Sequence, residues 1–178
     1  ELNALVQPEP NEPRNGDFVL TGSASALTGK ITVSRGHLTL GAASNPGGAM
    51  DVSRSAGLGG ETILGGTLRL GTNTPDAGTS TLLNVDPVTP GALHANGNLV
   101  FTSGTTTTVQ LDGLPPGPTV RILGYGGTLT GTAANLDLVG GMAAYRPGTA
   151  FDTTGSPGEI LLNITRGTVV WSAGTGNW

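Results

Sequence analysis

Cysteine is absent, and lysine occurs once, at Lys30. The first absence excludes a disulfide framework and thiolate metal sites. The second, with arginines scattered along the chain and a net charge of -4, leaves no basic stripe to neutralise a phosphate backbone, so no nucleic-acid partner is expected. Charged residues make up 11% of the chain and aromatics 4%, so contact with water falls to Thr, Ser and Asn side chains and to backbone polar groups. No apolar run approaches the roughly 18 residues of a spanning helix, so this segment is not expected to insert into a membrane. Residues 1–17 lack the basic, apolar and small-residue order of a signal peptide. Glu1 in place of Met leads to the expectation that a preceding segment has been removed.

What is abundant is glycine, 31 of the 178 residues, with 12 prolines. That composition fits either disorder or a turn-rich β protein, and the low net charge with regularly spaced Val, Ile, Leu and Thr favours the second. Residues 1–17 form an extended Pro-rich lead-in, because Pro8, Pro10 and Pro13 each remove a backbone donor and hold the chain in polyproline or turn geometry. From residue 18 to 178 the pattern changes to short apolar alternations. Ile31/Val33, Leu38/Leu40, Met50/Val52, Leu68/Leu70, Leu99/Phe101, Val109/Leu111, Val120/Ile122, Leu136/Leu138, Ile160/Leu162/Ile164 and Val169/Trp171 each flank a single residue. This is the period of a strand with one face buried.

Between the strands lie Gly-Gly pairs at 47–48, 59–60, 65–66, 126–127 and 140–141, and Asn96-Gly97. They are expected to turn tight corners through positive φ. Strands this short need extensive lateral partners, which a parallel β-helix (a solenoid) or, alternatively, a β-sandwich supplies. Internal similarity favours the helix: Ile31–Gly41 and Thr62–Gly71 both read as a strand, a short turn and then x-Leu-x-Leu-Gly, 30 residues apart from Gly41 to Gly71. The Thr-rich stretch from Ser103 to Leu111, with the Pro-rich loop to Pro118, reads as a different unit leaving the stack.

These segments resemble a known family. Gly66-Thr-Leu-Arg-Leu-Gly71 looks like the autotransporter-associated β-strand repeat of Gram-negative autotransporter passenger domains. Residues 104–117 and 120–131 are similar to the later part of such passengers, and 168–178 to their tryptophan-bearing section openings. The resemblance implies a right-handed parallel β-helix fragment at the bacterial cell surface or in the extracellular space. In the full protein it would be linked to an outer-membrane barrel, although no barrel-type strands occur in this segment. It further implies a non-enzymatic adhesin or autoaggregation segment whose partners are a host surface, a neighbouring bacterial cell or a second copy of itself. A carbohydrate-active β-helix enzyme and a structural spacer presenting another domain are the alternatives.

The residues capable of chemistry are few. His37 and His94 are isolated in sequence and read as surface positions; neither belongs to a metal-ligand spacing such as His-Glu-x-x-His. No Gly-x-Ser-x-Gly segment occurs, and Gly155-Ser156-Pro157-Gly158 places proline where a backbone donor would serve an oxyanion. Asp51, Asp76, Asp86, Asp112, Asp137 and Asp152 are dispersed and expected at strand ends and turns. Tyr125, Tyr145, Trp171 and Trp178 could stack on sugars if exposed, with Trp171 assigned to the core by its phase with Val169. Asn163-Ile164-Thr165 matches a glycosylation acceptor but reads as plain strand. No catalytic, cofactor-binding or metal-ligating residue and no cofactor is therefore expected.

Overall fold

The computed structural model describes residues 16–72, 80–88, 93–113, 115–139, 141 and 148–165. The first fifteen residues of the lead-in, Asp76, Tyr145 and the segment carrying Trp171 and Trp178 lie outside the described residues. In chain order the strands are β1 (Asp17–Leu20), β2 (Ile31–Val33), β3 (Gly36–Leu40), β4 (Met50–Ser53), β5 (Ala56–Gly60), β6 (Ile63–Leu64), β7 (Leu68–Thr72) and β8 (Ser80–Val85). They continue as β9 (His94–Ala95), β10 (Leu99–Phe101), β11 (Thr106–Leu111), β12 (Thr119–Tyr125), β13 (Leu129–Thr130), β14 (Leu136–Leu138), β15 (Ala150–Asp152) and β16 (Glu159–Asn163).

The fold is all-β and consists of three multi-stranded, mostly parallel sheets. Sheet A has six strands in the order β1-β3-β5-β8-β11-β14, sheet B five in the order β13-β10-β7-β4-β2, and sheet C five in the order β15-β16-β12-β9-β6. Every pairing in sheets A and B is parallel. Sheet C is parallel from β6 through β9 to β12 and antiparallel from β12 through β16 to β15. From β4 to β15 the chain visits the sheets in the unbroken rotation B, A, C.

Register puts like residues above one another. In sheet B, Ile31, Met50, Leu68, Leu99 and Leu129 form one column, and Val33, Val52, Leu70 and Phe101 another. In sheet A the inward column is Leu38, Leu58, Leu83, Val109 and Leu138. Most of these side chains are fully buried and belong to one continuous core. Each strand is too short to bury an apolar face alone, and stacking gives every inward side chain a matching neighbour above and below. At about 25 cal/mol per Å² of apolar surface, each leucine so covered contributes roughly 1.5–3 kcal/mol.

Two expectations from the sequence need correction. The Gly-Gly pairs were assigned to positive φ, but among their described residues, which exclude Gly140, only Gly60 and Gly141 have it. The glycines at 47–48, 65–66, 97 and 126–127 instead stack in a column where the chain enters sheet B. Gly97 N–H donates to the Gly66 carbonyl at 3.1 Å and Gly127 N–H to the Gly97 carbonyl at 2.9 Å. A Cβ on Gly48 would lie 1.9 Å from the Gly29 carbonyl oxygen, and one on Gly97 would lie 2.7 Å from Gly66 C. Close approach of backbones, rather than unusual dihedrals, demands glycine there. The second correction concerns residues 103–111: β11 does not leave the stack but pairs with β8 on one side and β14 on the other.

The internal repeat is also differently placed. Leu38 and Leu40 sit in sheet A, whereas Leu68 and Leu70 sit in sheet B, so the two similar segments do not lie above each other. An interval of about thirty residues does separate paired positions elsewhere, among them Leu68 with Leu99, Leu99 with Leu129 and His94 with Gly124.

Candidate functional site

The outward face of sheet A is mostly polar, with Val19 and Leu82 as apolar exceptions. Register aligns Asp17, His37, Gly57, Leu82, Thr108 and Asp137 across all six strands, and next to them Thr39, Gly59, Asn84 and Gln110. The two glycines matter to this face. A Cβ on Gly57 would meet His37 Nδ1 at 2.2 Å, and one on Gly59 would meet His37 Nε2 at 3.0 Å and Asn84 Cβ at 3.1 Å. With glycine at both outward positions of β5, the His37 ring lies down across that strand. His37 thus lies on the outward, polar face of β3 but half-buried there, and burial lowers its pKa despite the opposing pull of Asp17 and Asp112.

A shallow groove of about 450 Å³ crosses the beginnings of β1, β3, β5 and β8, lined by Asp17, His37, Ser55, Gly57, Ser80 and Leu82 among others. Ser55, in the turn between β4 and β5, has φ of 91°, a conformation L residues rarely adopt. Its N–H donates to the Ser80 carbonyl at 3.0 Å, which ties the turn to β8. Lys30 and Arg69 bracket Asp51 on the outer face of sheet B, at 3.0 and 3.3 Å. With both cations largely exposed, these pairs contribute little to stability.

On sheet C a second polar cluster brings together residues distant in sequence. His94 pairs in register with Gly124, and Gly124 with Glu159. A Cβ on Gly124 would meet Arg121 Nη2 at 2.2 Å and His94 Nδ1 at 2.3 Å, so the glycine makes room for both side chains. Arg121 Nη2 lies 3.2 Å from His94 Nδ1. Because a guanidinium can only donate, His94 accepts at Nδ1 and carries its proton on Nε2. Arg121 Nε approaches Glu159 Oε1 at 3.3 Å as a Coulombic contact that is not aligned as a hydrogen bond. Ser156 Oγ donates to Glu159 Oε2 at 2.8 Å. His94 is partly buried, and its pKa is lowered by that burial and then by Arg121, with Glu159 opposing.

Both histidines thus favour the neutral form more in the folded chain than in the unfolded one. Their stabilising contribution is present above the ordinary histidine pKa and is lost as pH falls through the lowered folded value. Melting between pH 7.5 and 5 is expected to show Tm dropping by a few degrees, with His37→Asn/His94→Asn flattening the drop; an unchanged slope in the double variant would refute this assignment.

The aspartates are only partly at turns. Asp86 Oδ1 accepts from Val88 N–H at 2.8 Å, and Asp152 Oδ1 accepts from Thr154 and Gly155 N–H, each at 2.8 Å. These bonds lower the Asp152 pKa. Asp51 and Asp137, by contrast, point outward from the middle of β4 and β14. Asp112 follows β11 and accepts from Gln110 Nε2 at 3.3 Å. Among the described residues no group of three or more His, Asp or Glu side chains is arranged to hold a metal ion. Tyr125 is half-buried and packs against the core. Asn163 ends β16 and accepts from Thr119 Oγ1 at 3.1 Å, as plain strand sequence does. Arg121, Glu159 and the Asp17/Ser55/Ser80 set carry no motif, and only the pairing of strands distant in sequence reveals them. No protein-family model matches this chain, and no curated protein or solved structure matches it either.

Proposed function

We propose that this chain is a non-enzymatic, adhesive or autoaggregating segment of a Gram-negative autotransporter passenger, wound as a right-handed parallel β-helix. On this reading it lies at the cell surface or in the extracellular space, joined in the full protein to an outer-membrane barrel. Its partners are host-surface components, neighbouring bacterial cells or further copies of itself. The rotation of the chain through sheets B, A and C, with parallel pairing between successive passes, supports the winding. The observation that carries the functional reading is the outward face of sheet A. Asn84, Thr106, Thr108 and Gln110 stand together there, with Thr39 on the far side of the bare Gly59 and few charges between, a surface suited to many weak polar contacts that gain strength by repetition.

A carbohydrate-active enzyme is less well supported. The groove on sheet A is lined by one carboxylate, Asp17, where acid–base glycoside chemistry uses two. Cells displaying the full-length protein are expected to lose settling and attachment when residues 18–178 are deleted, provided the remainder still reaches the surface. Unchanged attachment would sink the adhesive reading in favour of a spacer.

A further inference from the structure

We propose that the groove crossing the beginnings of β1, β3, β5 and β8 binds an uncharged saccharide. A pyranose ring presents hydroxyls around its rim and C–H groups on its faces, and the groove offers partners for both. The Asp17 carboxylate, the His37 imidazole and the hydroxyls of Ser55 and Ser80 are the polar groups, and the Leu82 side chain supplies the apolar contact. The groove has no lysine or arginine, and burial disfavours the charged form of its one histidine, while Asp17 is acidic, so a sulfated or carboxylated sugar would find repulsion where a neutral one finds an acceptor. Neutral imidazole offers one donor and one acceptor, the complement of a sugar hydroxyl. A volume of about 450 Å³ accommodates one or two sugar rings. The turn at Ser55 is held at a costly positive φ beside this groove, as occurs where a backbone must be placed for a ligand. The inference deepens the adhesive reading and rests on it for its biological role, while binding is measured apart from cell attachment.

The test is saturation-transfer NMR and calorimetric titration of the purified chain with lactose, maltose and cellobiose, and with a heparin-derived sulfated disaccharide as the charged probe. At least one neutral disaccharide is expected to bind. Asp17→Asn and Ser80→Ala, at exposed and half-buried positions, should each weaken it about tenfold, and Asp137→Asn, on the same face outside the groove, should leave it unchanged. Should a variant unfold, shift perturbation of the His37 and Leu82 resonances of the unsubstituted chain locates the ligand, and shifts confined elsewhere overturn the proposal. No binding of a neutral disaccharide at about 20 mM, preference for the sulfated probe, or full binding by both groove variants would also overturn it. Loss of sugar binding with attachment still dependent on residues 18–178 would remove the groove and leave adhesion standing; the reverse would keep the groove as a site and remove its adhesive role.

Discussion

Gly66→Ala is expected to cost more than about 3 kcal/mol, a large share of the roughly 5–15 kcal/mol that holds a domain folded. The added Cβ would lie 2.6 Å from Ala49 N and 2.8 Å from both Ala49 Cα and Gly48 C. All three are backbone atoms, so no side chain can swing aside. From the next pass Gly97 closes on Gly66 with a hydrogen bond of 3.1 Å, which prevents relief by spreading the two passes. The contrast is Gly22→Ala, whose Cβ would meet nothing within 4 Å and whose φ is not positive. That change should be neutral or stabilise by about 0.4–1 kcal/mol through the unfolded state. Urea denaturation of the two variants separates close packing from a general intolerance of alanine; equal midpoints would sink the stacked-corner account.

Leu58→Ala should cost about 2–5 kcal/mol. Leu58 is fully buried and lies in register between Leu38 and Leu83, in the middle of the inward column of sheet A. Truncation there removes contacts above, below and across the core, and the parallel ladders on both sides limit collapse into the void. Ile63→Ala provides the comparison at the edge of sheet C, where the side chain is 50% exposed. Its replacement should cost under about 1 kcal/mol. A loss below 1 kcal/mol for Leu58→Ala would mean that the column does not form the core.

The legibility of this fold varied strand by strand for identifiable reasons. β2, β3, β4, β7 and β14 stood out because two apolar residues flank one polar residue in each, and β10 because Leu99 and Phe101 share one phase. β5, Ala56–Gly60, was hidden, since glycine is depleted in strands and Gly59-Gly60 reads as a break. Its place in the sheet depends on the His37 ring and Asn84, which cover the bare backbone from neighbouring strands. In β8 the outward Leu82 interrupts the apparent alternation, although Thr81, Leu83 and Val85 face inward. The similarity between residues 31–41 and 62–71 reflected a strand pattern usable in any of the three sheets, so it could not index the true register. The groove and the His94–Arg121–Glu159 cluster were invisible for the same reason: their members come from strands joined only by lateral pairing.

By itself the sequence determined that the chain would be a succession of short, half-buried strands with glycine corners and little charge. Alternation is a property of neighbours along the chain, and local sterics enforce it. Only the tertiary structure decided which strands share a sheet, why the corner glycines are required, and that two solitary histidines each lie half-buried against a glycine. These depend on lateral register, which many sequence alignments satisfy equally well and which the packing of the whole core selects.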